Sequence, residues 1–187
     1  MSYEVELKFP VFGPLDFEWS DFREEIDTYY QHPGRDFAQT DEGLRVRSCP
    51  AATTGFGCFL TYKGPKIDSE TKTRQEIEIP LLPGTYADCQ HLLETLGFIP
   101  VEVVRKFRKT AKQIHENREY HLCFDTLPVL KERGLTNEFL EIETLADENT
   151  LEEAREAILR FAHTLMAEDR LGPSVRKGYL EMVLESK

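Results

Sequence analysis

The 187-residue chain carries 34 acidic against 23 basic residues, a net charge of −11, with 40% hydrophobic residues and four cysteines. That length suits one well-buried domain over residues 1–187, and the acidic balance speaks against general nucleic-acid binding, whose phosphate contacts need a basic footprint. No stretch approaches the roughly 20 apolar residues that span a bilayer, although a local basic cluster in a cavity can hold a small polyanion whatever the net charge.

The first strand is expected at Glu4-Val5-Glu6-Leu7-Lys8-Phe9. A strand turns successive side chains to opposite faces, so Glu4, Glu6 and Lys8 share one face and Val5, Leu7 and Phe9 the other. Pro14 to Phe22 is ambiguous and allows one or two helical turns. The alternation then returns along the chain. Leu44-Arg45-Val46-Arg47 puts two arginines on one face, and Leu60-Thr61-Tyr62-Lys63 ends on a lysine. Arg74, Glu76 and Glu78 stand opposite Ile77 and Ile79. Lys106 aligns with Arg108, His121-Leu122-Cys123-Phe124-Asp125 brings one acid, and Leu140-Glu141-Ile142-Glu143 brings a pair. A merely solvated face would mix signs as cross-strand pairs, whereas acids and bases here fall largely on different strands.

Two helices break the strands. Cys89, Leu92, Leu93 and Leu96 recur at helical spacing over Tyr86–Leu96, with Gly97 as the stop. Thr150 to Glu168 carries the apolar stripe Leu151, Ala154, Ile158, Phe161 and Leu165, and Thr150 with Glu153 resembles a capping box. Lys131–Asn137 reads as a polar hairpin loop. Each half of the chain ends with Glu-Ile-Glu and then a helix, at 76–78 and 141–143. Together these predict one α+β domain, an antiparallel barrel or deeply cupped sheet with helices on its apolar outer face. The chain runs from Met1 straight into the first strand, so no signal peptide is expected. Cys49, Cys58, Cys89 and Cys123 form no CxxC pair and are read as reduced thiols, as in a cytoplasmic protein.

A hard divalent ion such as Mg²⁺ takes one or two carboxylates together with water and phosphate oxygens. Glu4, Glu6, Asp125, Glu141 and Glu143 offer that oxygen set, and five facing acids without a cation would repel strongly. Lys8, Arg45, Arg47, Lys63, Lys106 and Arg108 match a triphosphate, which carries about four negative charges near neutral pH. A P-loop is absent, since no GxxxxGK[ST] run occurs. His32, His115 and His121 read as hydrogen-bonded structural groups, and Phe17 with Trp19 as a packing plug.

Glu4-Val5-Glu6-Leu7-Lys8 resembles the E-x-E-x-K signature of the CYTH superfamily, the class IV adenylyl cyclases and thiamine triphosphatases. Further segments resemble it in order, from Asp27-Thr28-Tyr29-Tyr30 and Arg35 through Glu42 to Thr61-Tyr62-Lys63-Gly64-Pro65, Thr71-Lys72-Thr73-Arg74 and Phe139 through Glu143. The resemblance implies an eight-stranded antiparallel barrel, a triphosphate tunnel, with helices packed outside. It implies metal-binding acids at Glu4, Glu6, Asp125, Glu141 and Glu143, and triphosphate-binding cations at Lys8, Arg45, Arg47, Lys63, Lys106 and Arg108. Tyr29 matches the tyrosine that, in the family's triphosphatases, pairs with the signature lysine, here Lys8, to activate water. The metal would be Mg²⁺ or Mn²⁺. The substrate would be ATP, cyclised with loss of pyrophosphate, or else thiamine triphosphate or tripolyphosphate, hydrolysed. A polyphosphate-binding protein without turnover is the third reading. The segments look most like the class IV cyclase branch, and a homodimer is compatible with it. One departure is the short stretch between Phe9 and Asp27, where relatives carry a full helix.

Overall fold

The computed structural model describes residues 3–50, 57–166 and 169–187. Eight strands dominate it: β1 (Tyr3–Pro10), β2 (Ser20–Gln31), β3 (Gly43–Ser48), β4 (Cys58–Lys63), β5 (Arg74–Leu81), β6 (Ile99–His115), β7 (Arg118–Thr126) and β8 (Glu138–Ala146). They close into an antiparallel barrel in the order β1-β5-β4-β3-β2-β6-β7-β8. The seams differ in depth. β1 pairs with β8 from Tyr3↔Ala146 to Pro10↔Phe139, but reaches β5 only through Tyr3↔Gln75 and Glu4↔Arg74. In small barrels, inward and outward residues alternate along each strand, so the charged positions two apart all face the same interior.

Helices hold the outer faces and thereby fix which face turns in. Val5, Leu7 and Phe9 of β1, with Leu122, Leu140 and Ile142, pack against Ala154, Ile158, Phe161 and Ala162 of α4 (Leu151–Met166). A one-residue slip of any of these strands would turn its charges onto this apolar layer, so the core fixes the register. On the opposite side Tyr30, Leu44 and Val46 pack with Leu93 of α2 (Tyr86–Thr95). Gly97 follows α2 at φ +90°, a left-handed turn that suits glycine. A third cluster, Val104, Leu127, Leu130, Phe139, Tyr179 and Val183, sits at one end of the barrel. It joins α3 (Pro128–Glu132) to α5 (Tyr179–Glu185). A four-residue turn of helix, α1 (Phe37–Thr40), follows β2.

Several expectations change. Pro14–Phe22 forms no helix: Ser20 already begins β2, and the preceding loop is pinned by Trp19. Trp19 meets Phe17 and Phe124 edge-on at 5.4 and 5.8 Å and donates to the Leu15 carbonyl at 3.3 Å. Phe17 and Trp19 do serve as the packing plug. Lys131–Asn137 is not a simple hairpin loop, because α3 occupies its first part, with Pro128 supplying a favourable first helical position. The Thr150–Glu153 capping box does not form; Thr150 Oγ1 accepts from Asp147 N at 3.1 Å, and Glu153 accepts from Arg118 at 3.0 Å. The second helix ends at Met166, and its expected last residues, 167 and 168, lie outside the described residues. Among the described residues, no helix is long and apolar enough to cross a membrane.

Candidate functional site

A cavity of about 1040 Å³ occupies the barrel interior. Its wall takes Glu4 and Glu6 from β1, Glu141 and Glu143 from β8, Arg45 and Arg47 from β3, Lys63 from β4, and Lys106 and Arg108 from β6. Arg74, Glu76 and Glu78 of β5 complete the ring. Acids on β1 and β8 therefore face cations on β3, β4 and β6, as the strand faces predict. Tyr29 also lines the cavity and stands across from Arg45 in the β2–β3 register.

The cations do not float free. Asp27 receives Arg47 in a two-pronged pair at 2.6 and 2.8 Å, and Arg45 approaches it at 3.4 Å. Asp125 receives Arg108 in the same way at 2.7 and 2.5 Å. Lys106 lies 3.2 Å from Glu25 and 3.3 Å from Asp125. Glu25, Asp27 and Asp125 are buried and lie outside the cavity lining. They act as rear anchors: Asp27 and Asp125 each hold the fork of an arginine, and Glu25 takes Arg47 at 3.0 Å and Arg23 at 2.8 Å. Planar two-pronged pairs of this kind restrict guanidinium orientation in a way that lysine does not. Thus the interior acids meet their cations across neighbouring strands, and the sequence-level separation of signs holds only strand by strand.

Two expected residues sit deeper than the lining. Asp125 is an anchor, as described. Lys8 is wholly buried, donates to the Lys177 carbonyl, stands 4.0 Å from Glu141, and lies 4.1 Å from the ring centroid of Tyr179. Tyr179, from the C-terminal helix, is thus the tyrosine set directly against Lys8. Sequence reasoning missed Glu25 and Asp27 because β2 went unread above Asp27. The signal was present in the alternation Arg23-x-Glu25-x-Asp27-x-Tyr29. It also missed Lys72, which is buried and pairs with Glu6 and, at 3.7 Å, with Glu141. Lys72 lies in no strand, so alternation could not flag it. His121 is half exposed, is bonded to Glu119 at 3.1 Å, and also lines the cavity. Cys49, Cys58, Cys89 and Cys123 are free thiols.

The two acids of β8 fare oppositely. Burial raises the Glu141 pKa, but Lys72 and Arg108 outweigh it and hold this carboxylate well below its ordinary value. Glu143 gets burial and the repulsion of Glu4, with Arg108 no nearer than 3.9 Å, and is pushed up to about 8. On the far wall, burial opposes charge on Asp27, yet Arg47 and Arg45 carry it down to about 2. Burial likewise opposes charge on Lys63, while Glu4 and Glu76 raise its pKa above the ordinary lysine value. Lys8 is pulled down to about 7 by burial and by Lys72, against Glu141 and Glu6.

Glu6 and Glu143 stand directly opposite each other in the β1–β8 register. Like charges so placed destabilise a sheet; Glu6 is paired with Lys72, while among the described residues Arg108, at 3.9 Å, is the cation set against Glu143. An all-oxygen set from Glu4, Glu6, Glu141 and Glu143 is the donor chemistry a hard divalent ion takes. Among the described residues no three such groups converge at ligand distance; Lys72 pairs with Glu6 and Lys63 with Glu4. The donors fit a hard cation in chemistry, with lysines in its place.

The sequence profile of the CYTH domain matches residues 2–171. The chain belongs to the CYTH family. CYTH proteins bind triphosphates and generally use divalent cations. Over 170 residues this CYTH chain is 32% identical to a candidate adenylate cyclase of Methanocaldococcus jannaschii, covering 90% of this chain and 86% of that one. The PH1819 protein of Pyrococcus horikoshii OT3 shares the fold at a TM-score of 0.79 and 34% identity, over 98% of this chain and 99% of that one. A Hippeastrum adenylyl cyclase candidate with a dominant triphosphatase activity has the same fold at a TM-score of 0.62 and 16% identity, over 100% and 97% of the two chains. Residues 172–187, which include α5, lie beyond the segment matched to the CYTH profile.

Proposed function

We propose that this CYTH chain, acting as one domain over residues 1–187, is a metal-dependent enzyme that processes a triphosphate, and that its reaction is conversion of ATP to cyclic AMP and pyrophosphate. The observation that carries the class of chemistry is the single cavity in which Arg45, Arg47, Lys63, Lys106 and Arg108 face Glu4, Glu6, Glu141 and Glu143. Phosphoryl chemistry asks a protein mainly to position groups and stabilise charge, and anchored cations do both. The cyclase assignment is supported by the 32% identity to the candidate adenylate cyclase across most of both chains.

In this reading the five cations hold the phosphate oxygens, with Asp27, Asp125 and Glu25 fixing their directions. A Mg²⁺ or Mn²⁺ ion held by Glu4, Glu6, Glu141 and Glu143 would supply further charge neutralisation for those oxygens. The ribose 3′-oxygen attacks the α-phosphorus, an O–P bond forms, and pyrophosphate leaves. We assign the hydroxyl proton to Lys8, whose pKa is lowered to about 7 by burial and by Lys72 and which lies behind the cavity-lining Tyr179. Asp125 serves as an anchor in this scheme and not as a metal ligand, because Arg108 and Lys106 occupy it.

Hydrolysis of a triphosphate is the second reading. Tyr29 favours it: this tyrosine lines the cavity opposite Arg45 and matches the one that activates water in the family's triphosphatases. Incubation with Mg²⁺ or Mn²⁺ and, separately, ATP, thiamine triphosphate and tripolyphosphate separates the two. A cyclase releases cyclic AMP and pyrophosphate with no solvent oxygen in the cyclic product. Orthophosphate carrying solvent oxygen, with no cyclic AMP under either metal, would replace the cyclase with the hydrolase. No turnover of any of the three would leave neither reading standing.

A further inference from the structure

Among the described residues, the part of the cavity wall outside the CYTH-matched segment is α5 with the Gly178 that precedes it. This short helix is divided by spacing: Tyr179 and Val183, one turn apart, are buried in the cluster at the barrel end. Leu180 and Leu184, also one turn apart, line the cavity together with Tyr179, Glu181 and Glu185, Leu180 packing in part on that cluster, and residues at i and i+4 lie on one face of a helix. The helix is firmly seated. Val175 N donates to the Lys8 carbonyl at 2.7 Å, Arg133 donates to the Val183 carbonyl at 3.0 Å, and Lys187 pairs with Glu102 of β6.

Two leucines on the cavity wall, which elsewhere mixes its many charged residues with Phe37, Ala38, Ala111 and Leu145, serve no triphosphate chain. Leu180 packs on the same cluster as Tyr29, and Tyr29 in turn stands across from Arg45. An apolar wall therefore adjoins the phosphate-binding cations at the end of the barrel where β2 finishes and β6 begins. The chamber volume of about 1040 Å³ reaches the upper end of the roughly 300–1,000 Å³ that small-molecule pockets occupy, well beyond what three linked phosphates need. From this we infer that Leu180 and Leu184 of α5 receive the organic group of an organic triphosphate and so select it over inorganic tripolyphosphate. The inference rests on the triphosphate reading of the cavity and assigns its selectivity to a segment beyond the family-matched region.

The test is equilibrium binding, by calorimetry with Mg²⁺ present, of the diimido analogues of ATP and of tripolyphosphate. In these, nitrogen bridges replace the P–O–P links that either reaction would break. The variant Leu180→Ser with Leu184→Ser should lower the affinity ratio of the ATP analogue to the tripolyphosphate analogue at least tenfold. The double Leu→Met variant, which keeps an apolar wall of similar volume, should restore it. Melting curves of the free proteins check that α5 remains seated. An unchanged ratio in the Ser variant, or an equal loss for both ligands, overturns the inference while the triphosphate site stands. Failure of wild-type protein to bind either analogue overturns both.

Discussion

Replacing Glu143 by Gln isolates the charge conflict between β1 and β8. The Glu143 carboxyl is pushed from its ordinary 4.5 up to about 8 by burial and Glu4, so the folded protein holds a proton there that the unfolded chain releases above pH 4.5. Stability from this group is therefore present in full below pH 4.5 and is lost as pH rises through 8. The interval is roughly three and a half pH units, and at about 1.4 kcal/mol per unit the ceiling is about 5 kcal/mol. The side chain is 21% exposed, so water reaches it, and we take a loss of ~2 kcal/mol between pH 5 and 8.5 as the working value. Lys8 acts in the opposite sense: its pKa is depressed from 10.5 to about 7, so it adds stability as pH rises through that interval. The difference between wild type and Glu143→Gln cancels this contribution. Urea denaturation at pH 5, 6.5, 7.5 and 8.5 in chelator should show the variant gaining ~2 kcal/mol on wild type across the series. Millimolar Mg²⁺ should raise the stability of wild type at pH 8.5 by more than that of the variant, because a bound cation removes the repulsion. Parallel pH profiles for the two proteins in chelator would refute the assigned conflict.

Asp27→Asn should destabilise the ligand-free protein by about 3 kcal/mol, the lower end of the cost of breaking a buried pair, because Glu25 still holds Arg47 at 3.0 Å, with tripolyphosphate recovering part of it; the denaturation midpoint with and without ligand measures both. Glu6→Gln should fold yet lose most turnover, and chelation of wild type should abolish it until Mg²⁺ or Mn²⁺ is restored; full turnover in chelator would remove the metal from the scheme. Arg45→Ala should cost roughly 10²–10³ in rate, as for other removed charge-stabilising donors, read from kcat with ATP. Tyr29→Phe should lower orthophosphate release by about 10²-fold if water is the nucleophile and leave cyclic AMP formation much less affected, which product analysis of one variant resolves.

The legible part of this chain was the part governed by alternation. On β1, β3, β6 and β8 a two-residue period sets the charged pairs on one face; on β1, β3 and β8 burial of the other face under α4 or α2 forces them inward, while the outer face of β6 stays exposed. Lys63, Arg45, Arg47 and Lys106 could be placed facing one chamber from that rule alone. What the rule cannot supply is depth. Asp125 and Glu141 both read as inward acids, but Asp125 lies across from Arg108 in the β6–β7 register and is consumed by it, whereas Glu141 remains in the lining. The register of each strand pair decides such matters, and alternation along a single strand does not encode it.

The unread part follows from the same logic. Lys72 reaches Glu6 from the stretch before β5, and its backbone N–H donates to the Glu6 carbonyl at 2.9 Å. Tyr179 reaches Lys8 across the whole length of the chain. Neither has a period to announce it. Both arrivals matter electrostatically: Lys72 helps hold Glu141 charged and Lys8 nearer neutrality, and Tyr179 covers the amine that burial has already weakened. A lysine in the first strand of a charged barrel would otherwise be one more phosphate cation. Its distinct character comes from two contacts that only the closed fold brings together, and that is why its proton chemistry, unlike the chamber's charge, belongs to the tertiary structure.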